Sequence, residues 1–245
     1  MRLHNLARPA LGVLLLSALS IVALARADDT YALRSKVKVG DVVNSKYTAN
    51  LDFGMAKVKV TAGTKATIAE VKGDGSFVVS GQQRGLKVYQ DDKLVQEQEE
   101  GTVGKTTFAA DGQALEFDAG ALEGQPESLS VSMARLTSFI APANPVKLNE
   151  EWVINYKADK DKDVLAGVAK FKIVAIEKLG DADVAVVESS FKELGDDDPL
   201  TSDGKHWINI ATGEDMKSVL NIKNLPTPMG VKAKSGTIES EVVKS

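Results

Sequence analysis

The side chains best suited to chemistry in this 245-residue chain are one histidine and three groups of carboxylates. His206 lies in Gly204-Lys205-His206-Trp207-Ile208-Asn209. A single imidazole works as a general base only beside a nucleophile and an orienting acid, and no G-x-S-x-G turn is present to offer a serine. The second histidine, His4, sits in the N-terminal segment, so a multi-histidine zinc site is excluded. His206 is expected on a strand beside Trp207. Asp159, Asp161 and Asp163 alternate with Lys160 and Lys162. A calcium loop with that spacing needs glycine at its sixth position and glutamate at its twelfth; Val164 and Lys170 stand there instead, which makes the segment a solvated hairpin tip. Asp196-Asp197-Asp198 and Asp203 bring four carboxylates into eight residues, either a weak cation loop or a plain acidic one. Glu97, Glu99 and Glu100 are neighbours on one strand. Glycosidase chemistry needs two carboxylates facing each other across a cleft, which neighbours cannot do. The expectation is a protein that is not an enzyme, with no catalytic residue, no metal site and no cofactor. A hydrolase would require two acids converging in a cleft, one of them shielded from water.

Composition narrows the classes further. The chain has 30 basic and 34 acidic residues, a formal charge of −4 and no basic cluster, which argues against nucleic acid as a partner. It has no cysteine, so disulfides, thiolate metal sites, a cysteine nucleophile and a lipid-modified N-terminal cysteine are all excluded. Arg2, His4 and Arg8 precede an uncharged run from Pro9 to Ala25, and Ala25-Arg26-Ala27 follows. That order is the pattern of a secretory signal peptide over residues 1–27, cleaved after Ala27. Cleavage removes three arginines and no acid, leaving 218 residues with a net charge of −7. The processed chain is expected to be periplasmic or secreted and not membrane-spanning.

The elements that must position these residues read as strands. Val43, Ser45, Tyr47, Ala49, Leu51 and Phe53 alternate with Asn44, Lys46, Thr48, Asn50 and Asp52, the period of a half-buried strand. Val58 and Val60 alternate with Lys57 and Lys59, and Trp152, Ile154 and Tyr156 with Val153, Asn155 and Lys157. Gly73-Asp74-Gly75, Asp111-Gly112, Gly180-Asp181, Asp203-Gly204 and Thr212-Gly213 offer turns between such runs. The fold class expected is all-β, mainly antiparallel, with ten to twelve strands in a curved sheet or half-barrel. One short helix interrupts it: in Glu127–Ala141, Leu129, Met133, Leu136 and Ile140 recur at helical spacing, with Pro126 in the first turn and Pro142 as a stop. It serves as a lid over a cavity mouth or as cover for a sheet edge. A transmembrane barrel would need aromatic girdles, and aromatic residues make up only 5% of the chain.

A weak repeat organises the chain. Val37-Lys38-Val39-Gly40-Asp41 resembles Val146-Lys147-Leu148-Asn149-Glu150, and Tyr47 matches Tyr156 at the same offset. Ile68-Ala69-Glu70-Val71 resembles Ile173-Val174-Ala175-Ile176, each followed by a glycine-aspartate turn. This divides the chain into a first β repeat over 28–125, a helical connector over 126–145 and a second β repeat over 146–245, with 28–245 forming one domain. If the sheet curls, its concave face carries Tyr47, Leu51, Phe53, Trp152, Ile154, Tyr156 and Phe171. These seven either line a site for an apolar ligand or form an ordinary packed core.

The exported strand-rich chain with its interposed helix resembles the half-barrel group that includes the periplasmic lipoprotein carriers and lipid-binding envelope proteins. The joint Pro142-Ala143-Asn144-Pro145 leading to Trp152 is similar to one in secreted bacterial β proteins. The resemblance implies a non-enzymatic binding protein carrying an apolar or envelope-derived ligand on a concave sheet. It transfers no functional residue. The other function open at this point is a structural or protein-interaction module of the cell envelope.

Overall fold

The computed structural model describes residues 29–118, 126–195, 197–227 and 230–243; the signal-peptide segment lies outside them. The order of elements is β1 (Thr30–Tyr31), β2 (Val42–Asp52), β3 (Lys57–Val71), β4 (Phe77–Gln90), β5 (Lys93–Phe108), β6 (Ala114–Phe117), α1 (Glu127–Thr137), β7 (Val146–Lys147), β8 (Glu151–Tyr156), β9 (Ala166–Leu179), β10 (Ala182–Leu194), β11 (Thr201–Asn209), β12 (Asp215–Leu225) and β13 (Ala233–Val242). Eleven strands make one antiparallel sheet that does not close into a barrel, while β1 and β7 pair as a separate ribbon. The described residues are therefore all-β with one short helix.

Two meanders build the sheet. β2 to β6 form one and β8 to β13 the other, and the first strand of the first is bonded to the last strand of the second, Ala49 opposite Ile238. The order is thus cyclic, with its break between β6 and β8. The break holds α1. Arg135 of the helix donates to the carbonyls of Leu165 (2.7 Å) and Lys157 (3.1 Å) beside β8, and its guanidinium stacks over the Tyr156 ring. Ser132 donates to the buried Glu193 of β10 at 2.7 Å. The helix buries Leu129 and Leu136 and ends at Thr137, short of the expected Ala141. Ser138 turns extended (ψ 135). Residues 138–142 instead run as a strap: the Ala141 N–H donates to the Asp111 backbone carbonyl across the break, and the Ile140 carbonyl accepts the Trp152 indole N–H at 2.9 Å. Ile140 is buried, but on the strap and not on a helix face.

The two matched segments ahead of β2 and β8 fold into the same turn. In the first copy Asp41 accepts from the Lys38 N–H (2.7 Å), and in the second Glu150 accepts from the Lys147 N–H (2.8 Å). The next residue back has positive φ in both, 90° at Gly40 and 66° at Asn149, and its N–H donates to the carbonyl of Ile68 or Ile173. Glycine and asparagine are the residues that tolerate this backbone best. The same acid-capped turn therefore leads into the first strand of each meander.

The expected turn at Asp203-Gly204 is not one. Both residues lie inside β11, opposite Asn221 and Leu220. Gly204 is there because strands approach closely: a Cβ would collide with the Val219 carbonyl oxygen and lie 2.8 Å from the Leu220 Cα. The β4–β5 turn is made by Asp91 and Asp92, both at positive φ, as in a type I′ hairpin.

Burial is uneven. Phe171, Ile173, Ala185, Val187, Phe191, Ile208, Leu220 and Ile222 of the second meander form a core with Leu136, Phe139 and Ile140. β5 is exposed from Lys93 to Glu100, and β6 pairs only with its Thr106–Phe108 end. Leu33, 1% exposed, brings the N-terminal segment under one end of the sheet, where the Lys36 backbone N–H donates to the Thr212 carbonyl. Gly213 makes room for that crossing, since a Cβ would collide with the Arg34 carbonyl.

Candidate functional site

The seven concave-face residues all belong to the hydrophobic cluster or pack against it. Tyr156 and Phe171 are buried; Tyr47, Leu51, Phe53, Trp152 and Ile154 are partly buried around them. Trp152 stacks on Phe171 with ring centres 5.5 Å apart, and Phe139 from the strap meets both edge-on. Edge-to-face and offset-stacked contacts satisfy the ring quadrupoles. The space in front of this half of the sheet is therefore filled by α1 and its strap.

An open cleft of about 530 Å³ lies on the other side of Phe139. Val43, Ile68, Phe77, Val79 and Phe108, from four strands of the first meander, make its inner wall. Antiparallel register puts them on one face: Ile68 opposes Val79, and Phe77 opposes Phe108, with their rings stacked at 5.5 Å. Leu33 and Val37 of the N-terminal segment and Phe139 and Ala141 of the strap complete the apolar lining. None of the seven expected residues lines this cleft. Tyr156 lines a smaller cavity, about 170 Å³, between α1, β6 and β8. Burial pushes its phenol up to about 12, with the Arg135 guanidinium opposing the shift.

The cleft also has a polar side to its lining. Asp41, Asp111, Glu214, Asp215 and Lys36 contribute to it. Burial, followed by the nearby charges of Asp215 and Asp41, holds the Glu214 carboxyl above the usual carboxylate range. Asp215 lies at the start of β12 and bonds His206 of β11, Nδ1 to Oδ2 at 2.6 Å. His206 is on a strand beside Trp207, 1% exposed, with the Phe139 and Phe171 rings about it. An imidazole–carboxylate pair can relay a proton, but this imidazole is walled off from any substrate in the cleft. Its partner Asp215 was not legible as such, because it comes through a hairpin with a register shift at Trp207/Ile208.

The acidic groups separate. Asp203 sits on β11 and accepts from Asn221 at 3.1 Å, while Asp196 lies outside the described residues. Asp159 caps its own hairpin tip, accepting from the N–H groups of Asp161 and Lys162. Glu97 is exposed and pairs with Lys87. Among the described residues no three His, Asp or Glu side chains are gathered as metal ligands, and no helix is long and apolar enough to cross a membrane.

No protein-family model matches the chain, and no curated protein sequence matches it. Among solved structures it is similar to a protein of Parabacteroides distasonis provisionally designated a lipoprotein. The identity is 16%, over 88% of this chain and the whole of that one, with a TM-score of 0.33.

Proposed function

We propose that this protein is an exported, non-enzymatic binding protein of the cell envelope that carries an apolar ligand. The observation behind this reading is the 530 Å³ cleft, whose inner wall is five apolar side chains of the concave sheet face. A cleft of that size and lining suits a small apolar molecule or one chain of a lipid. The ligand displaces water from the Phe77–Phe108 wall, and each methylene buried contributes about 0.8 kcal/mol. His206, enclosed and bonded to Asp215, serves structure in this reading and not turnover.

The test is binding of an environment-sensitive neutral naphthylamine to the processed chain. Saturable fluorescence enhancement is expected, and Val79→Trp, which fills the cleft from its wall, is expected to abolish it while circular dichroism stays unchanged. Unchanged binding by that variant removes the cleft as the site. Native mass spectrometry of protein purified from its host identifies the natural cargo.

A second reading is a protein-interaction module. The exposed stretch of β5 from Lys93 to Glu100, which β6 does not reach, is the observation that favours it. Cross-linking in the envelope to a partner strand, with no probe uptake, would support that reading over the first.

A further inference from the structure

Resting on the reading of the cleft as a site for an apolar ligand, we infer that it selects amphiphiles whose polar end is a cation, such as an alkylammonium, over those with an anionic head. The cavity is two-sided. Phe77, Val79 and Phe108 offer a tail an apolar wall, and four acidic residues, Asp41, Asp111, Glu214 and Asp215, line the same cleft with Lys36, His206 being bonded to Asp215 behind it. The Lys36 ammonium already donates to the Ala211 carbonyl at 2.9 Å.

The carboxylates are not all satisfied from within. Asp41 accepts from the Lys38 N–H, Asp111 from the Gln113 N–H, and one oxygen of Asp215 from His206. The other oxygen of Asp215 is buried and accepts nothing, and the Glu214 carboxylate has no hydrogen-bond donor among the described residues. Each half-buried carboxylate left without a counter-charge raises the cost of its neighbours' ionisation. A cationic head supplies the missing charge beside the half-buried Glu214 and Asp215. An anionic head meets like charge and a lysine that must first give up a carbonyl.

The experiment displaces the neutral naphthylamine with three decyl amphiphiles below their micelle concentrations: decyltrimethylammonium, decanol and decanoate. The ammonium compound is expected to compete at least about tenfold better than decanoate, with decanol between them, and the gap narrows in high salt. Glu214→Gln is expected to shrink the ammonium–decanoate ratio several-fold and leave decanol unchanged. Equal competition by all three, or preference for decanoate, overturns the inference and leaves the cleft as an apolar site. Competition by none of them, with no probe binding, overturns the cleft itself. A Glu214→Gln variant that folds and keeps the full ratio overturns the assignment to these acidic residues.

Discussion

At the scale of single residues, two positions show how little room the sheet leaves. Gly204→Ala adds a methyl that collides with the Val219 carbonyl, so β11 and β12 must separate. The expected loss is about 1 to 3 kcal/mol, the range of overpacked cores, read as a fall in urea midpoint. Tyr156 gives a pH signature. Its neutral form is favoured in the fold, where the phenol reaches about 12 from an ordinary 10.0. The group's contribution is therefore intact below pH 10 and is lost as pH rises through the folded value, by roughly 2 to 3 kcal/mol in all. Tyr156→Phe should flatten that alkaline limb; an unchanged limb would assign it to other groups. Glu214 is shifted in the same direction and for the same first cause, burial. Its raised carboxyl penalises the fold when ionised, above the folded value, and the penalty is absent below the unfolded one. Glu214→Gln should thus raise the melting temperature at pH 7 and leave it unchanged at strongly acid pH.

At the scale of elements, alternation was the readable signal wherever one face of a strand is buried and the other wet. β2 and β8 were legible for that reason, and so was the amphipathic stripe of α1. What a period of two cannot encode is which stretch of a concave face another element will cover. Trp152 and Phe171 have the same pattern as Phe77 and Phe108, yet α1 and its strap cover the first pair and leave the second pair on a cleft. The strap itself was hidden, because Ile140 continues the helical spacing although the chain is already extended at Ser138. Asp203-Gly204 misled for a related reason: glycine serves close strand approach as well as it serves a turn. The duplicated entry turn was legible and can be tested. Gly40→Ala, with no steric neighbour and φ at 90°, should cost about 1 kcal/mol in backbone strain alone. Asn149→Gly, at the matching position, should be neutral or slightly stabilising in the same denaturation assay.

At the scale of the whole molecule, the cyclic strand order makes the β2–β13 seam the joint between the two meanders. Asn50 and Thr237, opposite one another there, are 187 residues apart in sequence. Thr237→Pro breaks a ladder bond inside this central pair and should cost about 3 kcal/mol or more, measured by denaturant unfolding. Val95→Pro is the control. It falls at a register shift on the exposed edge strand β5, and should cost far less.

That seam also dictates a schedule. During N-to-C synthesis β2 emerges long before its bonding partner β13, with Asn50 and Thr237 187 residues apart, so through that interval an early strand has one flank unzipped. Contacts of such long range form slowly. Until β13 arrives, the open flank of β2 is an unpaired strand edge of the kind that pairs with other chains, so the yield of folded protein is expected to fall as refolding concentration rises.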